Sequence, residues 1–240
     1  FQRETRINPI NGFRNRFVNF LLGYFNKIVH ISHFDCNQIL LKKSKQYVLP
    51  NIPLTAYIEE KHESKKAIFF PGGYNQIKGL KEVLIAFKSS NTKMPLLLNL
   101  DPLEYQTSLK GQFASLKMFK KSERYKASCL RILDSLIKSG RDIRLLGRDK
   151  IPWDQFGFML LWLSVPHQLR LINECLLYQK VLITRSLENY REFIKPSVTK
   201  TFGNMEELIH VLNGLDESHI DPCLQDEYRV QILLEIKNYE

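Results

Sequence analysis

The residues best suited to chemistry lie in the stretch FFPGGYNQIKGL, Phe69 to Leu80. An apolar run ends in a glycine pair, Gly72 and Gly73, and Lys78 follows at the start of a helical pattern. Glycine at the end of a strand lets backbone approach an anion closely, and the coming helix offers free N–H groups and the positive end of its dipole. The Lys78 ammonium could reach a phosphate held there. The spacing matches neither a Walker loop nor a G-x-G-x-x-G fingerprint. Taken alone, a glycine pair before a helix is more often a structural turn.

Other chemistries find little support. The chain has no D-x-D, no H-E-x-x-H and no G-x-S-x-G. His30, His33, His62, His210 and His219 show no ligand spacing. The four cysteines, Cys36, Cys129, Cys175 and Cys223, form no C-x-x-C pair, which argues against a zinc site or a disulfide scaffold and for free thiols in a reducing cytoplasm.

The elements that must position the glycine turn are legible from periodicity. KAIFFPGG predicts a buried strand, and LKEVLIAFKSS an amphipathic helix with Leu80, Val83, Leu84 and Phe87 on one face. MPLLLNL, DIRLLG, FGFMLLWLS and KVLIT predict further strands. Between and after them, KASCLRILDSLIKSG, QLRLINECLLYQ and NMEELIHVLNGL predict helices, with a stop at Gly140 and a cap at Asn204. Phe156, Phe158 and Trp162 are expected in the core. Strands alternating with helices at this spacing imply an α/β fold with a parallel, doubly wound sheet, whose ligands sit beyond the carboxyl ends of the strands. Upstream, residues 13–26 read as a helix, and KIVHIS and QYVLPN as short strands.

The chain has 240 residues and a net charge of +10, enough length for a sizeable core and enough charge to favour an anionic partner. The charge is uneven: residues 1–50 and 109–150 are basic, and 151–240 are net acidic. No apolar run approaches the ~20 residues needed to span a membrane. The first residue is Phe, so the chain is read as a fragment or as one whose beginning is not shown.

The series YVLPN, AIFFPGGYNQIKGLKEVLIAF, DIRLLGR, INECLLYQKVLIT and ENYREFI resembles, in that order, the carboxyl-terminal half of GT-B glycosyltransferases, notably glycosyltransferase family 4. That family carries V-I-P-N-G, then G-R-x-x-x-x-K-G, a strand ending in glycine, and E-x(7)-E followed by a G-x-P-V-I-A strand. The resemblance implies a Rossmann-like domain that binds a nucleotide sugar. It makes Gly72, Gly73 and Lys78 the donor diphosphate site, with Lys78 stabilising charge on the leaving phosphate. It makes Glu174 the ribose ligand and Gly147 and Arg148 the nucleobase loop. Two positions depart from the pattern. Gly73 stands where the family has a second diphosphate-binding arginine. Pro166 stands where it has the first glutamate, which leaves the neighbouring His167 on the donor-sugar side.

The resemblance therefore implies a glycosyltransferase (a hexosyltransferase-type enzyme) that moves a sugar from a nucleotide diphosphate to an acceptor hydroxyl. It further implies retention of configuration, no metal and no cofactor beyond the donor substrate. A carbohydrate or lipid-linked acceptor, polysaccharide or glycolipid biosynthesis and a cytoplasmic location go with it. Residues 1–45 are expected to end an amino-terminal domain, 46–225 to form the donor domain and 226–240 to form a final helix that crosses back. The basic segment 110–131, with Phe113, Phe119 and Tyr125 interleaved, could lie on the inner face of a membrane, contact an anionic acceptor, or be a solvated helix with apolar anchors. The alternative function is a non-catalytic domain of this fold serving as a partner or scaffold. Nucleic acid is not expected as a partner, since charge alone favours it.

Overall fold

The computed structural model describes residues 28–30, 46–48, 65–112, 121–147, 151–162, 169–186 and 198–215. The chain divides into two compact units, residues 1–51 and 52–240. In the first, β1 (Ile28–His30) and β2 (Gln46–Val48) pair in parallel. These are the two short strands expected in KIVHIS and QYVLPN. The expected helices at 13–26 and 226–240 lie outside the described residues.

The second unit is built on six parallel strands: β3 (Ile68–Phe70), β4 (Leu96–Leu98), β5 (Ile143–Leu145), β6 (Phe158–Leu161), β7 (Val181–Arg185) and β8 (Thr199–Phe202). Their order is β5-β4-β3-β6-β7-β8. The chain steps outward from β3 to β5, returns to the other side of β3 and steps outward again to β8. This is the doubly wound, Rossmann-like α/β sheet expected for the carboxyl-terminal half of a GT-B enzyme. The topological switch falls between β3 and β6.

Central strands buried on both faces need apolar residues throughout. Ile68, Phe70, Leu96, Leu98, Phe158 and Leu160 feed one core, and the alternate residues Phe69, Leu97, Met159 and Leu161 feed the other. The two outer strands carry charge instead. Arg144 in β5 grips Asp142 with two bonds of 3.0 and 2.8 Å, and Lys200 stands in β8. Charged side chains on exposed edges discourage further strand pairing.

Three helices share the first face: α1 (Leu80–Ser89), α3 (Lys121–Lys138) and α5 (Met205–Asn213). The second carries α4 (Leu169–Leu177). A further helix, α2 (Pro102–Gln112), precedes α3. The anticipated stripe of α1 is buried, with Ala86 added to it. Burying a side chain such as Leu84 or Phe87 stabilises by roughly 1.5–3 kcal/mol. Helix α3 also closes both ends of α1. The Tyr125 hydroxyl accepts a hydrogen bond from the Lys81 backbone N–H (3.0 Å) and donates to Glu82 Oε2 (3.2 Å). The Arg141 guanidinium, just past α3, donates to the Phe87 carbonyl (2.7 Å) and lies 4.4 Å from the Phe87 ring centroid. Both satisfy backbone groups that a helix cannot pair internally.

The basic segment 110–131 begins in α2 and ends in α3. From Lys121 onward the segment is α3, and Tyr125, Ala127, Cys129 and Leu130 are buried. Tyr125 is a core anchor and is not available to a surface. Phe113 and Phe119 lie outside the described residues. Among the described residues, no helix is long and apolar enough to cross a membrane.

Helix α4 ends in an unusual cap. Gln179 adopts a φ of 55°, the only positive value on a non-glycine residue among the described residues. Its N–H donates to the Leu176 carbonyl and the Lys180 N–H to the Cys175 carbonyl, the two bonds of a Schellman turn. Glycine is the usual residue at that left-handed position, as Gly140 is after α3 with a φ of 77°. Gln179→Gly is therefore expected to raise stability by about 1 kcal/mol, read as a higher denaturant midpoint at unchanged slope. A lower midpoint would show that the glutamine side chain contributes more than its backbone strain costs.

Candidate functional site

The glycine turn leaves β3 at the carboxyl edge of the sheet. Gly72 is buried, and a Cβ on it would stand 2.3 Å from Phe70 Cζ and 3.2 Å from Lys78 Cβ. The turn thus folds Lys78 back against Gly72, and the two sequence-predicted residues meet. Gly73 differs: a Cβ there would meet nothing within 4 Å. The missing arginine leaves open space.

Lys78 is held by its backbone. Residues Gln76–Lys78 form one 3-10 turn, capped by Asn75, whose Oδ1 accepts from the Ile77 N–H at 2.9 Å. Gly79 closes the turn with a φ of 70° and begins α1. A Cβ on Gly79 would lie 2.1 Å from Trp162 Cδ1, so the indole at the end of β6 packs directly on the Lys78–Gly79 backbone. Trp162 in turn meets the Phe202 ring at 5.4 Å, and the Arg185 guanidinium lies 5.6 Å from the indole. These residues line the carboxyl ends of β3, β6, β7 and β8, where ligands of doubly wound sheets sit.

Beside the turn is an open groove of about 850 Å³. It is lined by Pro71, by Gly73–Lys78, by Asn99, by Glu104 from α2 and by Lys121 and Ser122 from α3. Asn99 is tied to the turn by its N–H to the Phe70 carbonyl (3.2 Å) and by Nδ2 to the Pro71 carbonyl (3.5 Å). Glu104 and Lys126 form an ion pair at 2.7 Å, and the Lys126 ammonium lies 5.0 Å from the centre of the Tyr74 ring.

The other predicted residues fall elsewhere. Gly147 ends β5 with a φ of 81°, its N–H bonded to the Leu100 carbonyl at 3.0 Å. It shares the carboxyl edge but is not among the residues lining the groove. Glu174 lies on α4, on the opposite face of the sheet from α1, and is 6% exposed. Burial, with the Glu174 carboxylate adding to it, pushes the Tyr178 phenol up from its ordinary range. Glu174 does not line the groove either. Arg148 and His167 lie outside the described residues. Among the described residues, no cluster of three His, Cys, Asp or Glu side chains could hold a metal.

The residues not anticipated are Asn75, Asn99, Glu104, Lys121 and Gly79. For α2 a signal existed. Asp101-Pro102 is an N-cap followed by proline in the first turn, and Asp101 Oδ1 accepts from the Leu103 N–H at 2.8 Å.

No family model matches the chain, and no curated protein matches it. Solved structures do. The fold is similar to that of WaaB, a lipopolysaccharide outer core galactosyltransferase in its apo form, with a TM-score of 0.62 at 15% identity over 91% of this chain and 61% of that one. It is similar to Anabaena Alr3699/HepE in complex with UDP and glucose, with a TM-score of 0.65 at 14% identity over 97% of this chain and 68% of that one. TarM gives 0.55 at 10% identity over 90% of this chain and 42% of that one. At such identities the likeness is one of fold: this chain has the doubly wound α/β architecture of these proteins and spans about two thirds of the length of the first two.

Proposed function

We propose that the chain is the donor-binding part of a glycosyltransferase. The observation that carries this reading is the backbone-held Lys78 against Gly72, at the carboxyl edge of a fold shared with a galactosyltransferase and with a protein seen with UDP and glucose. In the proposed reaction the bond between the sugar's anomeric carbon and the donor phosphate breaks. A bond from that carbon to an acceptor hydroxyl oxygen forms, and the hydroxyl proton leaves. Lys78 would stabilise the negative charge that grows on the departing diphosphate. Transfer with retention and without a metal, in the making of a polysaccharide or glycolipid, belongs to the same proposal and rests on the family resemblance.

A second reading has one observation in its favour. A ribose ligand must be reachable, and Glu174 is buried. A non-catalytic domain of this fold, kept as a partner for another chain, accounts for that burial and for Gly73.

The two readings part on nucleotide binding. UDP, GDP or ADP at 100 times its dissociation constant should stabilise the chain against heat by about 2.7 kcal/mol. Lys78→Ala should remove most of that stabilisation without lowering the melting temperature of the free protein. Glu174→Ala should weaken binding if its carboxylate reaches the ribose, and should only lower stability if it serves packing. No stabilisation by any of the three nucleotides or their sugar conjugates would overturn the donor reading.

A further inference from the structure

The groove beside the glycine turn carries more positive charge than Lys78 alone supplies. Lys121, at the start of α3, lines it as well. Neither the Lys78 nor the Lys121 ammonium has a hydrogen bond or ion pair among the described residues. The third ammonium nearby, that of Lys126, is committed to Glu104 at 2.7 Å. Lys78 and Lys121 are thus two cations lining one groove. Gly73 lines it without a side chain, and a Cβ there would meet nothing within 4 Å. Two linked phosphates suit a groove that offers two cations, because their repulsion is relieved only when both are neutralised.

We propose that Lys121 supplies the second diphosphate-binding cation of the groove lined by Lys78, in place of a side chain at position 73. The donor's diphosphate then bridges the glycine turn and the start of α3. This makes α3 part of the ligand site as well as of the core. Through Tyr125, which holds the Lys81 N–H, the same helix is already tied to the element that follows Lys78. This inference rests on the donor-binding reading, and the experiment separates the two.

The test measures dissociation constants of the full chain for UDP and for uridine, which keeps the base and ribose but lacks phosphate. Lys121→Gln should raise the UDP constant about tenfold, leave uridine unchanged and flatten the dependence of UDP binding on salt. Lys121→Arg should bind UDP nearly as the parent does. Lys138→Gln, at an exposed lysine paired with Asp134 at the far end of α3, should match the parent and control for net charge. If Lys78→Gln weakens UDP binding and Lys121→Gln does not, the donor reading stands and the role of Lys121 falls. Equal losses for UDP and uridine in Lys121→Gln would also overturn it, since that pattern belongs to a damaged fold. A parent chain that binds none of UDP, GDP and ADP overturns both proposals; where GDP or ADP is the one bound, the same comparison is made with that nucleotide and its nucleoside.

Discussion

Replacing Gly79 with alanine is expected to destabilise the second unit by about 3–4 kcal/mol, the largest effect of any single methyl added near the site. Two costs combine. The residue holds a φ of 70°, where an L side chain is strained by roughly 1–2 kcal/mol. The added Cβ would also lie 2.1, 2.3 and 2.7 Å from three atoms of Trp162. These are Cδ1, Cγ and Cβ, the inner part of the side chain, so no flexible tip can swing away. Relief needs movement of β6 or of the 3-10 turn, and overpacking of this kind costs roughly 1–3 kcal/mol. Gly73→Ala is the internal control. It adds the same methyl six residues earlier, into open space, and should change stability by no more than about 0.5 kcal/mol. A double-mutant cycle with Trp162→Ala checks the cause: removing the indole should relieve the contacts at 2.1 and 2.3 Å and recover part of the loss, leaving the backbone strain and the 2.7 Å contact with Cβ. Gly79→Ala with parental stability would mean that Trp162 does not pack on this turn. Because Gly79 both ends the Lys78 turn and begins α1, its loss should weaken nucleotide binding along with the fold.

Gly79 also marks how far the site could be read from sequence. The glycine pair drew attention first, and within the pair Gly72 is indeed confined by Phe70 while Gly73 is unconstrained. The most demanding glycine was the third, and its demand comes from a tryptophan far along the chain, which no local pattern encodes. The helices α1, α3, α4 and α5 were legible because each presents a periodic apolar stripe. Helix α2 was not, since its apolar residues do not gather on one face and Leu103 is 70% exposed; only the Asp-Pro start announces it. Strand β8, TKTF, is an edge strand with two inward residues, Thr199 and Phe202, too few to show alternation. The strand at Gln46–Val48 was readable as extended but not as to its partner, because pairing is a long-range choice. Lys121 illustrates the same limit. A basic run was plain in the sequence, yet which lysine shares a groove with Lys78 depends on α1 and α3 packing together.

The cap of α4 holds the second large effect. Lys180→Met is expected to stabilise the chain by about 2 kcal/mol at neutral pH. In a Schellman turn the second residue past the helix normally places an apolar side chain against the third from its end. Here those residues are Lys180 and Cys175, joined through the Cys175 thiol, which donates to the Lys180 carbonyl at 3.4 Å. The turn therefore drives a lysine into an apolar position. Lys180 is 1% exposed, and its ammonium has no hydrogen-bond partner among the described residues. The Phe156 ring centroid, 5.8 Å away, offers only a weak attraction. Burial pushes the Lys180 ammonium below its ordinary value of 10.5, against smaller opposing effects of Cys175 and Asp154. The sign follows. Between the lowered value and 10.5 the unfolded chain binds more protons than the folded one, so the parent gains stability as pH rises through that window. Below the window both forms are protonated, and the cost of the buried charge is felt in full. Methionine, unbranched and of similar length, removes the charge and keeps the packing. The advantage of Lys180→Met should thus be largest below that window and shrink as pH rises through it towards 10.5, and denaturant midpoints at several pH values would trace it. A variant less stable than the parent at neutral pH would show that the ammonium is stabilised where it lies, and that the chain retains it for that reason.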